Sequence, residues 1–353
     1  MHIAAHVTQQ SEYESPLLKL LRILIVKYPE HKFTFFVETI LEDLPKNCTQ
    51  VILSPKPKNN FLLYFWYKFK VHSYLKIRHR MVFISEFGLL CEQSPIPQYL
   101  FFKEEDFWQD SNPVFKSAFV SALAKANKII TTQTFLAESL IQKHKIPNEK
   151  IQTIFQGLNG KIKEYSLTTI EEIKNAYCNG FDYFLFEVSN TSKEYLIHIL
   201  KAFSQLKKMQ KTSMKLLFLL EDVIEENLIA DFKNYKYKDE VFIHIQTVNN
   251  RRNIVSASSG LFYFSKYVNN SIAFVALQQA IPVVTLDDKI NKSLFDNAAL
   301  YTVASDKAIG EKMQLLYKDE SIKNKLKEAS AELLQKHDID KAIEQLYKAI
   351  YVK

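Results

Sequence analysis

Residues 259–303 read SGLFYFSKYVNNSIAFVALQQAIPVVTLDDKINKSLFDNAALYTV. Leu261 to Phe264 is a short apolar run and predicts a strand. A polar elbow follows, from Lys266 to Ser271, and then a helix-like segment from Ile272 to Gln279. Ile281 to Leu286 predicts a second strand. This strand–turn–helix–strand unit is the basic piece of a parallel sheet.

The same alternation extends outward in both directions. Toward the N-terminus the predicted strands are His2–Val7, Phe33–Val37, Gln50–Leu53, Met81–Ser85, Gln98–Phe102, Lys128–Thr132 and Ile151–Phe155. Pro16–Tyr28 repeats leucine and isoleucine at helical spacing, Asn112–Ala126 predicts another helix, and Thr134 is placed to cap a third that ends near His144. Further along, Tyr183–Phe186, Lys215–Leu220 and Glu240–Ile245 predict strands, and a last helix begins near Asp340. Strands alternating with helices argue for doubly wound α/β domains.

The 353 residues suffice for two domains, each with its own core. The N-terminus lacks a basic region followed by an apolar stretch, and no apolar run reaches the roughly 18 residues needed to span a bilayer. Cys48, Cys91 and Cys178 are widely spaced, with neither a metal pattern nor a disulfide framework, which suits the cytoplasm. A net charge of +7 suggests affinity for anions without choosing among nucleotides, nucleic acids and acidic lipids. The basic residues follow no nucleic-acid-binding motif, so nucleic acid is not an expected partner. Glycine occurs 6 times, where average usage would give roughly 25. A glycine-rich phosphate cradle is therefore excluded, and Gln9-Gln10-Ser11-Glu12-Tyr13 stands where one would follow the first strand.

The strand–elbow–helix–strand unit at 259–303 resembles the donor half of family-4 glycosyltransferases with the B-type fold. The resemblance is strengthened by the stretch TTQTFLAESLIQKHKIPNEKIQTIFQGLNG at 131–160, which looks like the end of that family's first domain. It covers about residues 128–350, and the first 127 weakly. It implies two Rossmann-like, doubly wound α/β domains facing a cleft, the glycosyltransferase-B fold. The expected divisions are an acceptor-side domain at 1–160, a nucleotide-sugar-side domain at 161–335, and a C-terminal helix at 336–353 crossing back to the first.

Site residues carry over position by position. The turn after the first strand of the second domain, with Ser189, Asn190 and Lys193, matches the family's diphosphate-binding turn; Glu194 takes a place usually held by a cation. Lys193 reads either as a diphosphate contact or as a solvated lysine at a helix start. Asn269, Asn270 and Ser271 form the elbow before a helix, which reads either as a phosphate-accepting N-terminus or as an ordinary cap. The family's paired glutamates are missing: the elbow holds asparagines, and the second acidic position falls near Val275 or Leu277. After Gln98–Phe102, where the family often has His-Asp, this chain has Lys103 and Glu104. These read as a phosphate-facing cation and a catalytic base, or as a charged surface loop.

The resemblance implies a hexosyltransferase-type enzyme of polysaccharide biosynthesis. It would use a nucleoside-diphosphate sugar, require no metal or other cofactor, and act on a glycan, lipid-linked or protein acceptor. Loss of the acidic pair leaves a second reading open: a catalytically inactive relative serving as a partner subunit or glycan-binding protein. Asn60–Arg80, NFLLYFWYKFKVHSYLKIRHR, is aromatic first and basic afterwards. Phe61–Arg80 reads either as a peripheral contact with the inner face of a membrane or as a core helix with solvated lysines.

Overall fold

The computed structural model describes all residues except 8, 11–12, 53, 55–56, 79, 103–111, 156–161, 163, 190–191, 221–233, 266–271 and 352–353. The chain divides into two compact units. One comprises Met1–Gly157 with His337–Lys353, the other Leu158–Lys336.

The first unit holds seven strands: β1 (His2–His6), β4 (Lys32–Val37), β5 (Cys48–Ile52), β6 (Met81–Ser85), β7 (Gln98–Phe102), β8 (Lys128–Thr131) and β9 (Ile151–Thr153). They form one parallel sheet in the order β5-β4-β1-β6-β7-β8-β9. A two-stranded antiparallel ribbon, β2 (Gln9–Gln10) and β3 (Tyr13–Glu14), follows β1. Both faces of the sheet are covered, so its central strands are apolar throughout rather than alternating. Ile3, Ala5, Val82 and Ile84 join α1 (Pro16–Lys27) and the C-terminal helix Ile339–Ile350 in one core. Ala4, Met81 and Phe83 join the other, with the helical segment Asn60–Lys76 and α4 (Pro113–Lys125). Ser15 begins α1 by accepting from the Leu18 amide at 3.1 Å, and Pro16 loses nothing at the first helical position.

The C-terminal helix buries Ala342, Ile343, Leu346, Ala349 and Ile350 on the first unit's core. Tyr347 stacks on Tyr28, with ring centroids 4.1 Å apart, and its hydroxyl lies 2.9 Å from His31 Nε2. Burial holds His31 below the usual histidine pKa, with the terminal amino group adding to the shift and Glu30 opposing it. One sequence expectation needs correction here. The helix α5 (Thr134–His144) is preceded by Gln133 as its N-cap, with no side-chain cap bond, so Thr134 is its first residue rather than its cap.

The second unit holds six strands: β10 (Tyr183–Val188), β11 (Lys215–Leu220), β12 (Val241–Ile245), β13 (Gly260–Tyr263), β14 (Val283–Leu286) and β15 (Ala299–Thr302). They are parallel in the order β12-β11-β10-β13-β14-β15. Tyr183, Leu185, Leu261 and Tyr263 face one core; Phe184, Phe186, Phe262 and Phe264 face the other. Helices α6 (Leu167–Cys178) and α7 (Leu196–Gln210) pack on opposite faces, which is the doubly wound arrangement.

Candidate functional site

In a doubly wound sheet a ligand site lies beyond the strand carboxyl ends, where the strand order reverses direction. In the second unit that point lies between β10 and β13, since β11 and β12 are laid down on one side and β14 and β15 on the other. The two stretches expected from the sequence to carry a donor site follow these two strands directly. β10 ends at Val188 and leads into Ser189, Ser192 and Lys193. β13 leads through the buried Phe264 and Ser265 toward the elbow, and the helix Ile272–Gln278 starts after it. Asn190, Asn269, Asn270 and Ser271 themselves lie outside the described residues.

The turn after β10 is closed by its own hydrogen bonds. The Ser189 amide donates to Ser192 Oγ at 2.8 Å, and that hydroxyl donates to the Glu187 carbonyl at 2.8 Å. The Ser192 and Lys193 amides both donate to the Ser189 carbonyl, at 3.2 and 3.0 Å. Ser189 and Ser192 also lie Oγ to Oγ at 3.1 Å. These bonds fix the turn but commit the Ser189 amide to it. Lys193 is half-buried at the start of a short 3-10 turn before α7, and Glu194 beside it is exposed. Glu187 and Ser265 have the strand parity of Leu185 and Tyr263, and both are buried at the same carboxyl edge. Glu187 places a buried acidic residue at the end of β10, beside the reversal point. Leu277 is 0% exposed in the core and Val275 packs against it, so neither position of the missing glutamate faces a polar ligand.

The first unit has its reversal point between β1 and β6. There the structure shows a cluster that the sequence reading did not assemble. His6 and Ser85 are register partners across the two strands and share the parity of Ala4 and Phe83. From the overlying helix, the Tyr67 hydroxyl lies 2.7 Å from His6 Nδ1 and 2.7 Å from Ser85 Oγ. Glu86 follows, 0% exposed, and His6 stacks on Phe87 with centroids 4.0 Å apart. Trp66 Nε1 is buried in the same place with no hydrogen-bond acceptor among the described residues. Burial holds the Tyr67 phenol well above its usual range; the Ser85 bond opposes this, while Cys91 and Glu86 reinforce it. At neutral pH Tyr67 therefore acts as a hydrogen-bond donor and not as a base. The available signal was local: His6 and Ser85-Glu86 are polar residues ending otherwise apolar strands.

Lys103 and Glu104, the expected catalytic pair, follow β7 in sequence and lie outside the described residues. Among the described residues no group of three His, Cys, Asp or Glu side chains could hold a metal. Burial pushes the thiols of Cys48, Cys91 and Cys178 up to about 12, and all three are free.

No family model matches the chain, and no curated protein matches it. Solved structures do. A glycosyltransferase from Rickettsia africae has a TM-score of 0.72 at 12% identity, with 98% of this chain and 97% of that one covered. WaaG, a glycosyltransferase involved in lipopolysaccharide biosynthesis, gives 0.72 at 14% identity, with 100% of both chains covered. HepE from Anabaena, solved in complex with UDP, gives 0.73 at 12% identity, with 99% of both covered. At such identities the likeness speaks for backbone architecture and leaves the chemistry to the residues. The two parallel α/β sheets, matched over the full length, give this chain the glycosyltransferase-B fold.

Proposed function

We propose that the chain is a diverged glycosyltransferase that moves a sugar from a nucleoside-diphosphate sugar to a glycan, lipid-linked or protein acceptor. The observation that carries this reading is topological. Both stretches resembling a donor motif follow β10 and β13, the two strands that flank the reversal point of the second unit. UDP in the HepE structure and the lipopolysaccharide role of WaaG agree with the proposed substrate classes. Sugar transfer passes through an oxocarbenium-like state while the diphosphate departs, so the protein must hold negative charge. Lys193 and Lys103 are the proposed cations, with amides and side chains of Asn269, Asn270 and Ser271 as further donors and Ser189 and Asn190 framing the turn. Glu104 is the proposed base. The proposed reaction needs no metal. Its proposed setting is the cytoplasm, at the inner face of a membrane where the acceptor is lipid-linked.

A second reading is a catalytically inactive relative, a partner subunit or a glycan-binding protein. Exposed Glu194 and the apolar Val275 and Leu277 favour it, because each stands where the resemblance expects a residue that a donor site uses. A thermal-shift screen against nucleoside diphosphates and their sugars separates the two. Ligand at one hundred times Kd stabilises by about 2.7 kcal/mol. A shift with one nucleotide, lost in Lys193→Ala, supports the donor site; release of that nucleotide in the presence of acceptor then supports transfer. A folded sample that responds to none of them overturns the enzyme reading.

A further inference from the structure

Between positions 44 and 85 the sequence has eight lysines and arginines and no aspartate or glutamate. The whole chain has a net charge of +7, so the remainder is slightly acidic. This one stretch therefore supplies the basic character of the protein. Its centre is a single helical segment: α2 (Asn60–Trp66), a π turn (Tyr67–Val71) and α3 (His72–Lys76). The inner side buries Leu63, Trp66, Tyr67, Val71 and Leu75 in the core. The outer side presents a ladder of rings. Phe61 meets Phe65 at 4.9 Å, and Phe65 stacks on Phe69 at 6.2 Å. Phe69 is 59% exposed and Leu62 44%. Ile77, just past the end of α3, is 73% exposed. Lys58, Lys68, Lys70, Lys76 and Arg80 are all exposed along the same stretch.

A row of exposed phenylalanines is costly in water, and soluble chains rarely keep one without a partner for it. The geometry points to an anionic lipid surface as that partner: Phe61, Leu62, Phe65 and Phe69 enter the headgroup–acyl boundary, and Lys68 and Lys70 hold the acidic headgroups. Charge selects this occupant. A second copy of the chain would bring two acid-free basic stretches together, and like charges repel. Aliphatic Leu62 and Ile77 offer a nucleic-acid base no ring to stack on, whereas an acyl chain takes them as readily as the rings. No helix among the described residues is long and apolar enough to cross a membrane, so the helix lies on the surface. The inference does not depend on the sugar-transfer reading. It adds a link, since Tyr67 on the inner side is the residue that reaches His6 and Ser85.

The test is co-sedimentation of the full chain with vesicles of phosphatidylcholine alone and with phosphatidylglycerol added. Binding is expected to the mixed vesicles and to fall as salt is raised. Lys68→Gln with Lys70→Gln should weaken it about fivefold per lysine. Phe65→Ser with Phe69→Ser should weaken it at least about tenfold. Both pairs are exposed, so the thermal melt should match wild type and confirm folding. Equal binding to both vesicle types overturns the inference. So does binding that ignores the phenylalanine variants, or that single-stranded RNA displaces completely at equal charge. The nucleotide thermal shift should be unchanged in both variants, which keeps this outcome separate from that of the donor site.

Discussion

Tyr67→Phe removes one oxygen from the centre of the first unit's polar cluster and leaves the ring packing in place. The hydroxyl has two buried neighbours, His6 Nδ1 and Ser85 Oγ, each at 2.7 Å. Ser85 Oγ retains the bond it accepts from the Phe87 amide at 3.3 Å. His6, 1% exposed, loses the phenol at Nδ1. A buried atom stripped of this partner costs about 2 kcal/mol at mid-range, and the second bond adds about 1 kcal/mol at most. The phenol is neutral at pH 7, so no charge term enters. The expected loss is therefore about 2–3 kcal/mol, confined to the first unit. Two units need not unfold together, so a single melting curve is a poor readout. Hydrogen exchange resolves them: amides of β1 and β6 should exchange about 30- to 150-fold faster, and those of β10 and β13 should not change. Ser85→Ala completes a double-mutant cycle, with an expected coupling of about 0.5–3 kcal/mol. A change below about 0.5 kcal/mol in Tyr67→Phe would refute the claim that this hydroxyl holds the reversal point together.

Three further outcomes can be checked. Gly88 has φ +71, and a Cβ there would lie 2.6 Å from Phe119 Cδ2; Gly88→Ala should cost the first unit about 2–4 kcal/mol, read by denaturant melts. His31 and His2 are both held below the usual histidine pKa, mainly by burial. A folded state that disfavours the charged ring is at full stability above about pH 6.5 and loses it as pH falls, so melts between pH 7.5 and 5.5 should move downward, and less so in His31→Phe. With thiols pushed up to about 12, iodoacetamide at pH 8 should modify the native cysteines on the order of a thousandfold more slowly than free cysteine, and all three at the ordinary rate in urea.

The fold class was legible because strands buried on both faces leave continuous apolar runs. HIAAHV, MVFIS and YFLF each lie within two residues of the observed strands β1, β6 and β10. The π turn at Tyr67–Val71 was not legible, since its extra residue depends on how the helix seats against the sheet. The ribbon of β2 and β3 escaped for a similar reason: two-residue strands carry no period. The polar cluster joins His6 to Tyr67 across 61 positions, a contact that topology makes and periodicity cannot announce. Val275 and Leu277 stand where the resemblance expects a glutamate, and in the structure Leu277 belongs to the core and Val275 packs against it.

The first unit is written in two pieces, with residues 158–336 between them. During synthesis, α1 and the strands around it are made before residues 158–336, but Ile343, Leu346 and Ile350, which seal that side of the sheet, are made only after them. At about 5–20 residues per second, the intervening segment takes about 10 to 35 s to translate. For that time Leu17, Leu20, Leu21 and Leu24 have no lid, while the second unit contains all it needs to fold alone. The ribosome therefore reverses the usual order: of the two units, the one begun earlier is completed later. The complete sheet, waiting for its last helix, is the species a chaperone would meet.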